Sequence, residues 1–177
     1  MFSTSLLTAC MVAISGLASA TPLARAPCSP NFEGAGVSII DNDVEWGVSP
    51  AVAGTVLNRD LGGFPPNQTA EWHVEQTGAY PPTYIVKEIN HNNLVVDIGA
   101  DGLLTLEEID SSKQTQIWEI HCDQCPGASS TEFASACTII SAANGWCAQV
   151  EPAGVTLGTA PCAITSYQRW DFWTATA

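Results

Sequence analysis

Apolar and polar side chains alternate along several short segments of this chain. Trp72 and Val74 in segment 71–76, and Tyr84 and Val86 in segment 83–89, are apolar residues two positions apart, which is the period of a strand with one buried face. Segment 94–98 is almost continuously apolar and β-branched, which predicts a fully buried strand. No segment keeps an apolar period of 3.6 residues over a useful length. The pattern therefore predicts an all-β protein.

Turn-forming residues separate these segments. Asp101-Gly102 is a hairpin signal, and the Asn-rich segment 90–93 reverses the chain between two apolar segments. Small residues at 127–133 predict a linker. The predicted strands are 37–40, 44–48, 54–57, 71–76, 83–89, 94–98, 103–109, 117–121, 137–140, 146–150, 155–157 and 170–173. So many short strands with turns between them are typical of a β-barrel or a β-sandwich.

One stretch of the chain, residues 92–118, recurs without a gap 52 residues later at 144–170. The matching pairs are Asn92 and Asn144, Gly102 and Gly154, Gln116 and Gln168, and Trp118 and Trp170. A weaker copy lies upstream and ends at Trp72. Self-similarity at this period marks an architecture of repeated units, none of which buries its apolar face alone. We therefore predict three units of four strands, at about 37–80, 83–126 and 135–175.

The first twenty residues carry no charged side chain and contain a short apolar run that ends before Ala18-Ser19-Ala20. This is typical of a secretory signal peptide, residues 1–20, and the run is too short to span a membrane. We expect a secreted, soluble protein whose residues 21–36 form an extended arm. The single Arg25 leaves open whether a short pro-segment is removed. Asn67 begins the one N-glycosylation sequon, which secretion would make usable.

Six cysteines follow the expected signal peptide, and an even number predicts disulfides in a secreted chain. Cys147 lies on the first core strand of the third unit and Cys162 follows its hairpin, so the repeat pairs them. The pairing stays open for the other four, which are Cys28, Cys122, Cys125 and Cys137. Two of these four have CxxC spacing, but no second such pair or suitable set of histidines completes a metal site. We predict neither a metal nor a cofactor.

Acidic side chains outnumber basic ones 18 to 5, which gives a net charge of −13. Such a surface repels phosphate backbones and anionic lipids, so neither nucleic acid nor a membrane is an expected partner. The sequence contains no nucleophile elbow, zinc-protease motif or P-loop. Glu107 and Glu108 are adjacent on a predicted strand and point to opposite faces, so they do not flank one glycosidic bond. We therefore expect no enzymatic activity.

Each unit ends in a tryptophan that follows a related sequence. Gln116-Ile117-Trp118 and Gln168-Arg169-Trp170 keep a Gln-x-Trp motif, and Ala70-Glu71-Trp72 is a degenerate copy. With four strands to a unit, residues 37–173 resemble the ricin B-type (QxW) β-trefoil lectins, and the signal peptide and sequon are similar to those of small secreted fungal members. This resemblance implies a disulfide-stabilised β-trefoil in which Trp72, Trp118 and Trp170 form the core around the pseudo-threefold axis.

In that family a sugar site uses a carboxylate after the first core strand, an aromatic ring beyond the hairpin, and polar side chains before the tryptophan. The carboxylate accepts hydrogen bonds from sugar hydroxyls and the ring covers the apolar sugar face. In the second unit the resemblance assigns Asp97 and Gln116 to such a site, with His91 and Asn93 beside them. A competing interpretation makes Asp97 a turn residue that caps the Asp101-Gly102 hairpin. No unit keeps the complete set, so the sites are incomplete.

The main expectation is a non-catalytic carbohydrate-binding protein whose partner is a glycan or glycoprotein. An alternative is a protease inhibitor, because fungal proteins of this fold include inhibitors that insert loops into protease clefts. The long loop 58–67 or the turn 90–93 would then enter the protease. A scaffold or effector with another ligand is the third interpretation. The sequence leaves the oligomeric state open.

Overall fold

The computed structural model describes residues 27–32, 35–41, 44–59, 70–126, 131–151, 155–163 and 165–175. The predicted signal peptide, Arg25 and Asn67 lie outside the described residues, as does most of the loop 58–67. In the part of the chain that is described, no helix is long and apolar enough to cross a bilayer.

Short strands make up nearly all the regular structure of the described residues. They are β1 (Gly36–Asp41), β2 (Val44–Gly47), β3 (Thr55–Val56), β4 (Asn58–Arg59), β5 (Glu71–Gln76), β6 (Tyr84–Glu88), β7 (His91–Ile98), β8 (Leu104–Glu108), β9 (Trp118–His121), β10 (Glu132–Ser141), β11 (Cys147–Val150), β12 (Leu157–Ala160) and β13 (Trp170–Thr174). Two 3-10 helices, Gln114–Gln116 and Ser166–Gln168, end on the motif glutamines. Each helix thus positions a glutamine two residues before its tryptophan.

Six of the strands close a barrel. β1 pairs with β5 and β13, β6 pairs with β5 and β9, and β10 pairs with β9 and β13, all antiparallel. Each unit therefore contributes two barrel strands, which are β1 and β5, β6 and β9, and β10 and β13. The remaining strands form hairpins at one end of the barrel, among them β7–β8 and β11–β12. This architecture is the β-trefoil that the repeat and the resemblance predict.

Several predicted elements differ from the observed ones. The predicted strand 54–57 is shorter, because only Thr55–Val56 pairs with β8. Asn58–Arg59, predicted to begin the loop 58–67, form β4 because they pair with β2. The linker predicted at 127–133 is too long, since β10 begins at Glu132 and its first residues pair with β13. β12 begins at Leu157, later than predicted, because pairing with β11 begins there. Gly36, assigned to the N-terminal arm, is the first residue of β1.

The three motif tryptophans are buried in the core. Their indole N–H groups donate to backbone carbonyls, Trp72 to Trp46 (3.3 Å), Trp118 to Val96 (3.4 Å) and Trp170 to Ala148 (3.1 Å). A buried indole N–H needs such a partner. The same bond therefore anchors the tryptophan of each unit to the first hairpin strand of that unit, β2, β7 or β11.

The first unit breaks this symmetry at the acceptor position. Its acceptor is Trp46, where the other units have Val96 and Ala148. The centre of the Trp46 ring lies 5.2 Å from that of Trp170 and 6.4 Å from that of Trp72, and both pairs are edge to face. Aromatic rings favour this arrangement because of their quadrupoles. A fourth tryptophan thus fills the centre of the core from one side.

Part of the N-terminal arm belongs to the core. Phe32 is buried, and its ring centre lies 6.2 Å from that of Tyr84, 6.0 Å from that of Phe133 and 4.7 Å from that of Phe172. The Tyr84 hydroxyl donates to the carbonyl of Pro30 at 2.6 Å. Burial raises the pKa of Tyr84. These contacts make the arm a plug at the barrel end where β5 joins β6.

Three disulfides link the described residues. Cys147 is bonded to Cys162, the pair that the repeat predicts. The pairs whose partners the sequence left open are Cys28–Cys125 and Cys122–Cys137. The two cysteines of the CxxC segment are therefore bonded to different partners. One of these bonds secures the N-terminal plug to the second unit.

Candidate functional site

Asp97 and Gln116, the two principal residues of the predicted sugar site, are in direct contact. Asp97 lies near the end of β7 and is 3% exposed, and Gln116 ends a 3-10 helix and is 1% exposed. The Gln116 Nε2 donates to the Asp97 Oδ2 at 3.0 Å. The fold thus brings the pair together but buries both residues beneath the surface.

The carboxylate of Asp97 accepts hydrogen bonds from four groups. The backbone N–H of Ile98 lies 2.7 Å from Oδ1, and the Lys113 Nζ lies 3.2 Å from Oδ2. The Gln116 amide and the Thr115 side chain supply the other two bonds. Burial by itself raises the pKa of Asp97, but the hydrogen bonds from Thr115, Gln116, Lys113 and Ile98 outweigh it and lower that pKa below its ordinary value.

The Gln116 side chain also holds the loop that precedes it. Its Oε1 accepts the backbone N–H of Asp110 at 2.8 Å, and its Nε2 donates to the carbonyl of Glu108 at 3.0 Å as well as to Asp97. Both amide protons and the amide oxygen are therefore in use. This arrangement makes Gln116 a structural residue that fixes the position of the carboxylate.

An open groove of about 560 Å³ lies beside this cluster. It is lined by Ala53, Glu107, Glu108, Ile109, Asp110, Ser111 and Lys113. Lys113 connects the groove to the cluster, because its side chain is 46% exposed while its ammonium contacts the buried Asp97. The hydrogen bond to Asp97 and the nearby carboxylates raise the pKa of Lys113. Hydrogen bonds from Ser112 lower the pKa of Asp110.

His91 and Asn93, which the sequence analysis grouped with Asp97, lie elsewhere. His91 is the exposed first residue of β7, and its Nδ1 is 2.7 Å from the Oε2 of the buried Glu88. Six residues of strand separate His91 from Asp97, which is about 20 Å in an extended chain. The carbonyl of Asn93 accepts the N–H of Ile109. These two residues are therefore not part of the Asp97 cluster.

The equivalent positions in the other units carry no carboxylate. In the third unit Gln149 replaces Asp97, and its Oε1 accepts the Gln168 Nε2 at 3.2 Å. Gln168 also accepts the N–H of Ala163 and donates to the carbonyl of Pro161, as Gln116 does with its own loop. The first unit has Gly47 at the carboxylate position. Only the second unit therefore combines a carboxylate with the motif glutamine.

Lys113 is the residue of this site that the sequence analysis missed. A signal for it exists, since Lys113 is the one basic residue between Lys87 and Arg169 and it lies three residues before the motif glutamine. A lone cation in an acidic chain favours a carboxylate partner. The alternation of apolar and polar residues along the strands does not reveal which carboxylate Lys113 contacts, because its partner lies 16 residues away in sequence.

No protein-family model matches the chain, and no curated protein matches it. Among solved structures, the designed threefold-symmetric protein ThreeFoil is 14% identical, with 79% of this chain and 99% of that chain covered, at a TM-score of 0.60. The C-terminal half of an earthworm R-type lectin, in complex with GalNAc, is 10% identical over 80% of this chain and 99% of the lectin chain, at a TM-score of 0.56.

Other matches contain the fold as part of a longer chain. Cry35Ab1 is 13% identical over 80% of this chain but only 36% of its own length, at a TM-score of 0.63. A GlcNAcα1-4Gal-releasing endo-β-galactosidase is 9% identical over 80% of this chain and 33% of its own length, at a TM-score of 0.59. Identities this low show a common fold and nothing finer. The chain is thus similar in fold to β-trefoil proteins, among them an R-type lectin.

Proposed function

We propose that this protein is a secreted, non-catalytic glycan-binding protein whose site is the groove of the second unit. The proposal rests on one observation. The Asp97–Gln116 pair lies beside an open groove, and Lys113 both lines that groove and contacts Asp97. The fold of an R-type lectin that binds GalNAc supports the same class of ligand. The partner is then a glycan, either free or attached to a glycoprotein.

The chemistry of the groove suits a saccharide. Lys113, Ser111 and the carboxylates along the groove can exchange hydrogen bonds with sugar hydroxyls. Ile109 and Ala53 supply apolar surface for the C–H face of a sugar ring. None of the described residues that line this groove is aromatic, so they do not supply the ring stacking that strengthens sugar binding. We therefore expect weak binding, with a dissociation constant of about 1 mM.

The same geometry supports a non-catalytic role. Glycoside hydrolysis requires two carboxyl groups that face one bond. In this groove Asp97 is buried and its lone pairs are occupied by four donors. Glu107 and Glu108 are adjacent on β8 and point to opposite faces. Asp97, whose lone pairs are occupied, is therefore not available as one of such a pair.

A glycan array with the full chain from a secreting host tests the proposal. Asp97→Asn keeps the size of the side chain but removes its charge, and we expect it to abolish the hits, a loss of about tenfold or more. Gln149→Ala alters the equivalent position in the third unit and serves as the matched control. If binding persists in Asp97→Asn but is lost in Gln149→Ala, the site lies in the third unit instead. An array without hits would end the proposal.

Protease inhibition is the second candidate, and one observation favours it. The predicted turn 90–93 is wrong in its bounds, because 91–93 belong to β7. The exposed segment 90–93 is nevertheless held by the buried Glu88, which accepts hydrogen bonds from the backbone and side chain of Asn90 and contacts His91. A braced, exposed loop loses little entropy on entering a cleft. Titration of cysteine, serine and asparaginyl proteases with the protein decides it, and unchanged protease activity would remove this candidate.

A further inference from the structure

Only one of the four donors on the Asp97 carboxylate is able to leave. An ionised carboxylate offers about four acceptor positions, and here four donors use them. Ile98 donates from the backbone of β7, and Gln116 is buried and bonded to the loop as well. Thr115 belongs to the 3-10 helix that ends at Gln116. Lys113 alone reaches the carboxylate on a long, half-exposed side chain.

Other partners are available to Lys113 once it leaves. Glu107 and Asp110 also line the groove, and both attract its ammonium group. A lysine side chain has four rotatable bonds, so it can exchange one carboxylate for another without a change in the backbone. The Lys113 side chain is half exposed, so water can solvate its ammonium group when it leaves the buried carboxylate. The arrangement on Asp97 is therefore the favoured one, and the arrangement in the groove is a minor one.

We propose that Lys113 is a built-in competitor that occupies the saccharide position on Asp97, so that a sugar hydroxyl binds the carboxylate only after the ammonium moves into the groove. This inference rests on the proposed function and adds the residue that limits affinity. A ligand that needs a minor arrangement binds more weakly by the fraction of molecules in that arrangement. The matching ligand is a neutral saccharide that places one hydroxyl at the single donor position that Lys113 frees.

The third unit indicates that this competition is a property of the second unit alone. The residue 52 positions after Lys113 is Thr165, which carries no charge, and Gln149 stands in place of Asp97. Gln149 instead accepts from Gln168 and donates to Glu151 at 3.5 Å. The hydrogen bonds of the motif glutamine are thus made without any lysine. We therefore expect the contacts of Gln116 with Asp97, Asp110 and Glu108 to remain when Lys113 is replaced.

The test is saccharide binding by Lys113→Met, Lys113→Arg and the unchanged protein. The probes are galactose, N-acetylgalactosamine, glucose, N-acetylglucosamine, mannose and fucose, each titrated by NMR. Methionine keeps the apolar stem but cannot donate to Asp97, so we expect binding to tighten by about tenfold, as for a competitor that is bound about 90% of the time. Arginine keeps a donor and a positive charge, so Lys113→Arg should bind no more tightly than the unchanged protein.

A second readout reports on the contact itself. The carboxyl carbon of Asp97, followed by NMR against pH, should show a pKa that moves up towards its ordinary value in Lys113→Met and stays low in Lys113→Arg. Saccharide binding that is unchanged or weaker in Lys113→Met, with the pKa shifted as expected, overturns the competitor and leaves the proposed function standing. If neither protein binds any of the six sugars, the proposed function and this inference both fail.

Discussion

The second and third units hold the loop before their motif tryptophan by different means. In the third unit a disulfide, Cys147–Cys162, ties β11 to the loop. In the second unit no cysteine is available there, and the loop is held by polar contacts. Asp110 accepts from the backbone and hydroxyl of Ser112, and Lys113 reaches back to Asp97. One unit thus has a covalent bond where the other has charged side chains.

The motif glutamine makes equivalent hydrogen bonds in both units. Gln116 and Gln168 each accept one backbone N–H, donate to one carbonyl of the loop and donate to the residue near the end of the hairpin strand. That last residue is what differs, being Asp97 in one unit and Gln149 in the other. The comparison shows that the Gln-x-Trp motif is structural here. The charge of the residue that the glutamine contacts differs between the units.

The largest expected effect comes from removing the covalent bond. Cys147→Ala with Cys162→Ser opens a loop whose ends are 15 residues apart, which should lower the free energy of unfolding by about 3 kcal/mol. Urea unfolding under non-reducing conditions, followed by tryptophan fluorescence, measures it. The other two disulfides stay in place as internal controls. A change below about 1 kcal/mol would mean that the glutamine contacts alone secure the loop.

Removing the motif glutamines should have the next largest effect, and an unequal one. Gln116→Ala leaves the buried Asp97 carboxylate short of a donor as well as two backbone groups, a loss of about 2–3 kcal/mol. Gln168→Ala leaves the neutral Gln149 of β11 without this donor, as well as two backbone groups in a loop that the disulfide still closes, a loss of about 1–2 kcal/mol. Urea unfolding of both variants compares them. The reverse order would contradict the importance of the charge.

The smallest effect is a pH dependence confined to the second unit. Because the pKa of Asp97 is lowered in the folded protein, its contribution to stability is present above the unfolded value of about 3.9 and is lost as the pH falls through the folded pKa. The stability difference between the unchanged protein and Asp97→Asn should therefore shrink as the pH is lowered from about 5 to about 3. Gln149→Asn should show a difference that is independent of pH.

The repeat and the alternation predict the fold because each β-trefoil unit carries its own strands and its own tryptophan. The roles of Trp46 and Phe32 are not predictable in this way. Trp46 occupies a position where the other units have Val96 and Ala148, so no repeated pattern marks it. Phe32 lies in a Pro- and Ala-rich segment without alternation, and only tertiary contacts bury it.

The candidate site was predictable in part for a similar reason. The resemblance implies Asp97 and Gln116, and the repeat places them at the positions that Gln149 and Gln168 occupy in the third unit. His91 was predicted to lie beside Asp97, but six residues of extended strand separate the two. The contact of Lys113 with Asp97 depends on how a loop folds back, and local patterns do not encode that. Long-range polar contacts are the part of such a site that needs coordinates.

The pairing of β1 with β13 affects how the molecule is made. Gly36–Asp41 emerges from the ribosome early, yet one of its two barrel neighbours is Trp170–Thr174, more than 120 residues later. Until that neighbour is synthesised, one edge of the nascent β1 has no native partner. Contacts so distant in sequence form slowly, because a long loop must close before they form. Ring closure is therefore a late step in biosynthesis.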